Sequence, residues 1–348
     1  MFNSYINAKI ISSLNNIKYN LISYINKKKI ITDLKKKLLG INIETTNICN
    51  ANCIFCAYQF QSRKTGVMDL EMYKKIIRTY SLLGGGDIGL TPTVGEPLAD
   101  KYIVERIKFA RNFKNIKKIG FYSNLISLEK FNLIELINSG ISDIAVSTSG
   151  FSEEMYRQIY RSSQYKRMYR NLKNLIIENN KFNNPINIVV DMRSNRSINE
   201  TINLPDYKEL LKYLPVSKFF YKFRYDDWAG KIKQSDLNGI MKIRGSMNLL
   251  KIRFSPCTEY FSGPMIYWNG DVGICGCRDV DAKELIIGNL TENNFDKIWY
   301  NQKHLELIKK FHVDTPLICK ACTHYNNISV YASADWKKKI EKLPNIYY

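Results

Sequence analysis

Apolar positions over residues 40–230 come in short runs separated by longer amphipathic stretches. Ile41 and Ile43 form the first run, and Ile88 and Leu90 sit in a second that ends at Thr91. Further runs cover Ile116 to Tyr122, Ile141 to Ser147, Ile186 to Met192 and Phe219 to Tyr225. Short apolar runs of this kind read as strands buried on both faces. Between them, Asp69 is placed to open a helix from Leu70 to Leu83. Tyr102 to Phe113 and Tyr165 to Asn179 also carry apolar residues at helical spacing. About six strands alternating with helices predict an α/β chain with a parallel sheet and right-handed crossovers. Eight strands would close a full barrel; about six leave an open or partial one, with its chemistry at the C-terminal strand ends.

The flanks read differently. In residues 1–38, Ile6, Ile10, Leu14, Ile17, Leu21 and Ile25 make a helical stripe, followed by Lys27, Lys28, Lys29, Lys35, Lys36 and Lys37. Such a helix either packs on the main domain or touches a membrane surface or a partner. In residues 250–340, Pro264 to Trp268 and Val272 to Ile274 flank Asn269-Gly270, a type I′ hairpin signal. A helix from Phe295 to Phe311 is expected next. The chain thus divides into an extension (1–38), an α/β domain (39–235) and a small domain tied by metal rather than by a large core (250–340).

With 45% hydrophobic and 24% charged residues, the composition excludes wholesale disorder and a disulfide mini-scaffold. No run of apolar residues is long enough to span a bilayer, and no signal-peptide pattern is visible, so the expectation is a cytoplasmic protein. The net charge of +20 comes from scattered lysines, which set solubility and weak association rather than a specific nucleic-acid site.

The eight cysteines change the picture, because every one falls in a cluster. Cys49, Cys53 and Cys56 are spaced C-x3-C-x2-C just after the first predicted strand. Cys257, Cys275, Cys277, Cys319 and Cys322 lie in the C-terminal part. Clustered cysteines in a cytosolic chain read as metal or redox sites. Three thiolates do not saturate a tetrahedral zinc, and His304, His312 and His324 are remote in sequence. A [4Fe–4S] cluster held by three cysteines leaves one iron open to a small molecule.

The motif, its place and the following α/β pattern resemble the radical S-adenosylmethionine (SAM) superfamily. That resemblance covers roughly residues 40–330. It implies a partial (β/α)6 barrel whose open iron is chelated by S-adenosylmethionine. Reductive cleavage then yields a 5′-deoxyadenosyl radical that abstracts hydrogen from a substrate. On the same resemblance, Phe55 lies near the adenine. Val94-Gly95-Glu96-Pro97 matches the family's Gly-Gly-Glu-Pro element, with Val94 as a departure, and holds the methionyl amino group. Ser123 and Asn124 fall where the family contacts the ribose, Ser147 ends the fourth strand, and Arg161 is placed to reach the methionyl carboxylate.

Asn269-Gly270-Asp271-Val272 followed by Cys275 resembles the SPASM and twitch extensions of that superfamily. Four cysteines complete one auxiliary [4Fe–4S] cluster, and the ligand set implied is Cys257, Cys275, Cys319 and Cys322; a zinc site with four thiolates is the alternative. Cys277 is left over and is expected to be a buried thiol. Arg224 and Asp226, after the sixth strand, are the candidate catalytic residues, with Asp227 and Trp228 beside them; Tyr58 and Gln59, next to the first cysteine loop, are further candidate substrate contacts. The activity expected is an oxidoreductase dehydrogenating a sugar or cyclitol alcohol, with the auxiliary cluster as electron acceptor. The alternative is a maturase of a precursor peptide. Either would need a reducing partner such as flavodoxin or ferredoxin.

Overall fold

The structure is a computed structural model that describes residues 40–222, 224–243, 256–276, 278–299, 301–311 and 314–325. The helical stripe of residues 1–38 and the thiol of Cys277 lie outside the described residues. Among the described residues no helix is long and apolar enough to cross a membrane.

Six strands run parallel in chain order: β1 (Gly40–Ile43), β2 (Gly86–Gly89), β3 (Ile116–Ser123), β4 (Asp143–Thr148), β5 (Asn187–Arg193) and β6 (Phe219–Lys222). This is the partial barrel that the alternation predicts. Each strand turns one apolar face to the helices. On β5, Ile188, Val190 and Met192 are buried in the main core, while the alternate positions hold Val189, Asp191 and Arg193. The period of two therefore puts the polar residues of β5 on the inner face. Burying each of those three apolar side chains contributes about 1.5–3 kcal/mol.

The helix Leu70–Leu82 buries Tyr73, Ile76, Ile77 and Tyr80, one stripe at helical spacing, and Asp69 caps it by accepting from the Met72 N–H at 3.0 Å. Arg106, fully buried, pairs with Asp100 at 2.7 Å and donates to the Met68 carbonyl, so this helix and the helix Ile103–Arg111 are locked together.

The C-terminal segment is less separate than its composition suggests. Strand β9 (Met265–Ile266) pairs parallel with β1; β10 (Asp271–Gly273) and β11 (Ile286–Asn289) continue antiparallel, giving one nine-stranded sheet. The hairpin at Asn269-Gly270 forms, but not with a type I′ turn. Gly270 alone has positive φ (+89°), and its N–H closes the turn on the Tyr267 carbonyl at 2.9 Å. That is the three-residue loop with a glycine bulge, in which Asn269 keeps an ordinary conformation.

Two further expectations are corrected. The run Phe219 to Tyr225 is not one strand: β6 ends at Lys222, and Arg224–Tyr225 (β7) pairs instead with Lys242–Ile243 (β8) in a second sheet. The helix expected over Phe295 to Phe311 breaks into Phe295–Trp299 and Gln302–Lys310. Asn301 starts the second by accepting from the His304 N–H at 2.9 Å, as an N-cap residue does.

Candidate active site

The segment 44–66 leaves β1 and carries the first three cysteines. It is pinned at both ends. Asn47 donates to the Lys64 carbonyl at 3.0 Å and accepts from the Gly66 N–H at 2.9 Å. Between these anchors the Ile54 N–H reaches the Ile159 carbonyl at 2.9 Å, and the Cys56 N–H turns back to the Cys53 carbonyl at 3.1 Å. The Cys49 N–H donates to the Tyr58 hydroxyl at 3.3 Å.

Cys49, Cys53 and Cys56 are close enough to repel one another as thiolates, and burial pushes all three thiols up. Arg193 opposes this at Cys53 and Cys56, and Arg278 does so at Cys56. Three sheltered sulfur donors that resist ionising alone suit a cationic metal group, which inverts that cost. Among the described residues no three His, Cys, Asp or Glu side chains converge as ligands of a single ion. A [4Fe–4S] cluster takes one thiolate per iron and holds them further apart. The donor set fits it.

Gly95 sits where only glycine fits: its φ is +144°, and a Cβ would lie 2.9 Å from the Thr46 carbonyl oxygen. This close approach sets Glu96 beside the cysteine loop, with its N–H on the Ile48 carbonyl at 2.8 Å. The Glu96 carboxylate is buried and accepts from Ser123 Oγ at 2.6 Å, the Asn124 N–H at 2.8 Å and the Leu98 N–H at 3.1 Å. Burial outweighs these bonds and raises its pKa to about 7. Asn124 also donates to Asn50 at 2.7 Å, inside the cysteine motif. Pro97 opens the short turn after Glu96. Val94, the departure from the family element, packs with Ala57 and Val280 and so gains a contact that glycine would lack.

Phe55 lies against Tyr160 (5.4 Å between ring centres) and Tyr225 (5.7 Å), under the guanidinium of Arg193 at 4.7 Å. Ser147 pairs across the sheet with Asp191, accepts from Arg193 and contacts the Tyr160 hydroxyl at 2.7 Å. Asp191, its side chain 4% exposed, is paired through Oδ2 with Lys222 at 2.6 Å and Arg193 at 3.2 Å, while its Oδ1 has no partner.

These inner residues of β5 escape the sequence reading, which names Arg161 for the methionyl carboxylate. Arg161 is exposed, in the left-handed region (φ +49°), and donates to Gln59 at 2.9 Å. Arg224 is likewise exposed, on β7, and is not brought to the inner set. Asp226 is committed elsewhere: it pairs with Arg278 at 2.7 Å, accepts from Thr323 at 2.8 Å and takes the Trp228 N–H at 2.7 Å. The Arg278 guanidinium, with Thr323, holds its carboxyl below the usual range against the opposing effect of burial. Both of its carboxylate oxygens are therefore already engaged.

The auxiliary cysteines gather around Tyr260. Its hydroxyl contacts Cys319 Sγ at 3.4 Å, and burial together with the charges of Cys319, Cys275 and Cys257 pushes its pKa up. Cys319 is pushed up to about 12 and Cys322 to about 11, both chiefly by burial and both also by Cys275. His304 is no ligand here: its ring nitrogens bond the carbonyls of Trp299 and Tyr260.

The auxiliary module sits directly on the first loop. Thr93 Oγ1 donates to the Gly276 carbonyl at 2.9 Å. Arg63 pairs with buried Glu44 through both nitrogens (2.6 and 2.9 Å) and donates to the Val280 carbonyl at 2.7 Å.

Comparison with known proteins agrees with this geometry. A model of the radical SAM superfamily matches residues 43–203, and one of the SPASM iron-sulfur cluster-binding domain matches residues 257–323. An uncharacterized protein of Methanocaldococcus jannaschii is 26% identical over 264 residues, covering 74% of this chain and 81% of that one. A GTP 3′,8-cyclase of Thermodesulfovibrio yellowstonii is 30% identical over 128 residues, which span 38% of the cyclase and 35% of this chain. Among solved structures, BtrN in complex with AdoMet and 2-DOIA superposes with a TM-score of 0.53 at 18% identity, covering 83% of this chain and 94% of BtrN. Streptococcus suis SuiB bound to its precursor peptide SuiA gives a TM-score of 0.58 at 16% identity, covering 89% of this chain and 77% of SuiB. The chain belongs to the radical SAM superfamily, takes a [4Fe–4S] cluster and S-adenosylmethionine, and carries a C-terminal SPASM iron-sulfur domain.

Proposed function

We propose that the protein is an oxidoreductase that dehydrogenates a hydroxyl-bearing small molecule of the sugar or cyclitol class. The observation that carries this reading is the inner face of β5, where Asp191 Oδ1 is a buried acceptor with no donor of its own. A buried carboxylate oxygen without a partner is costly, and a substrate hydroxyl would satisfy it.

Cys49, Cys53 and Cys56 would hold the cluster that binds AdoMet, and Cys257, Cys275, Cys319 and Cys322 the auxiliary one. When bound, these groups supply one-electron cleavage of AdoMet for hydrogen abstraction and a second site able to accept an electron. The chain's own residues do the rest. Glu96, fixed by Ser123 and Asn124, would hold the methionyl ammonium, the carboxylate responding to that positive charge by ionising. Phe55 and Tyr160 wall the site and exclude water. Arg193 and Lys222 engage Asp191 through Oδ2, and its Oδ1 orients the substrate hydroxyl and takes its proton as the carbonyl forms.

The test is turnover of reduced, fully loaded enzyme with a panel of deuterated cyclitols and aminosugars. Deuterium appearing in 5′-deoxyadenosine together with a ketone product supports the reading. A modified precursor peptide with no cyclitol turnover would establish the maturase instead, a substrate class that SuiB, bound to its precursor peptide, illustrates for this fold.

A further inference from the structure

One continuous set of contacts joins the two cysteine sites, and it is independent of the substrate. The Phe55 carbonyl, beside Cys56, accepts from the Trp228 indole N–H at 2.9 Å. The Arg278 guanidinium lies over that indole, 4.9 Å from the ring centre. Arg278 pairs with Asp226 at 2.7 Å, and Asp226 accepts from Thr323, the residue after Cys322, at 2.8 Å. Arg278 itself is buried and follows the segment that carries Cys275.

We propose that Arg278 is a positioning residue shared by the two clusters, a single buried cation that holds both reduction potentials up and keeps the auxiliary cysteines in register with the first loop. A cation near an iron–sulfur cluster stabilises the reduced, more negative form, and the effect is strong where water is excluded. The stack on Trp228 and the ion pair with Asp226 fix where that charge sits. This rests on the ligand sets proposed above and not on the identity of the substrate.

The test is an EPR-monitored redox titration of the full chain with both clusters reconstituted, in the absence of AdoMet and substrate. About eight irons per chain are the premise, since two [4Fe–4S] clusters need them; about four would overturn the two-cluster reading itself. With eight, Arg278→Gln is expected to shift the reduced-to-oxidised ratio of each cluster at least tenfold at fixed potential, about 59 mV downward for a one-electron couple. Arg278→Lys should recover most of that shift while Trp228 fluorescence still changes. Asp226→Asn removes the facing anion and should move the auxiliary potential upward. If Arg278→Gln moves neither potential, or only one, the shared role is refuted. If that variant fails to hold iron, an unmoved auxiliary potential in Asp226→Asn refutes it.

Discussion

Arg63→Met should loosen the C-terminal module while leaving the barrel folded. Glu44 is fully buried, and Arg63, its side chain 9% exposed, meets it through two bonds of 2.6 and 2.9 Å. The guanidinium also bonds the Val280 carbonyl and lies 4.8 Å from the Tyr267 ring centre. Removing it leaves a buried carboxylate without its counter-charge, which costs about 3–5 kcal/mol where nothing else compensates. Backbone N–H groups of Trp268 and Thr93 still face Glu44, so the expected loss is at the lower end, about 3 kcal/mol. Burial already holds the Glu44 pKa above its ordinary value, and Arg63 is the largest opposing influence. Without Arg63 it rises further. Through that window the unfolded chain releases a proton that the folded chain keeps, so the deficit grows as pH rises. Urea unfolding of the apo-protein at pH 5 and pH 8 measures both effects. A double variant, Glu44→Gln with Arg63→Met, should recover part of the loss because no charge is then stranded. A deficit under about 1 kcal/mol at pH 8, typical of an exposed pair, would refute the reasoning.

Glu96→Gln should flatten the pH dependence of apo-protein stability. The rise of the Glu96 pKa from 4.5 to about 7 makes the wild type lose about 3 kcal/mol as pH climbs through that interval, read by urea unfolding. Cys53→Ala should abolish AdoMet cleavage and keep the auxiliary cluster, whereas Cys319→Ala should spare cleavage and block product; 5′-deoxyadenosine by chromatography and EPR separate the two. Gly95→Ala drives a methyl to 2.9 Å from the Thr46 carbonyl at a φ of +144°, so it should cost about 1–3 kcal/mol and displace Glu96, seen as weaker AdoMet binding by calorimetry.

The parallel strands were legible because each is a short apolar run between amphipathic stretches, a local signal. The pairing of β9 with β1 was not, since it joins residues more than two hundred positions apart and no local periodicity encodes it. The cysteine motif and the Gly95-Glu96-Pro97 element were readable from residue type and spacing, and the structure brings Glu96, Ser123 and Asn124 into one bonded set. Arg193 was missed although a signal existed: Asp191 and Arg193 are the polar alternate positions of an otherwise apolar run, at the end of a strand where a barrel keeps its chemistry. Singling it out requires knowing which parity faces inward. Asp226 shows the converse. Its place after β6 suggested a catalytic residue at the substrate, but its partner Arg278 comes from a distant segment.

The pairing of β9 with β1 also bears on how the gene can be cut. Strand β1 is the first of the parallel set, and without β9 its outer backbone N–H and C=O groups would line an open edge. Such an edge invites a strand from another molecule. A truncation that removes residues 256–325 to isolate the barrel would therefore yield a self-associating protein rather than a minimal catalytic domain. An insertion of the same length in an exposed loop would be tolerated far better.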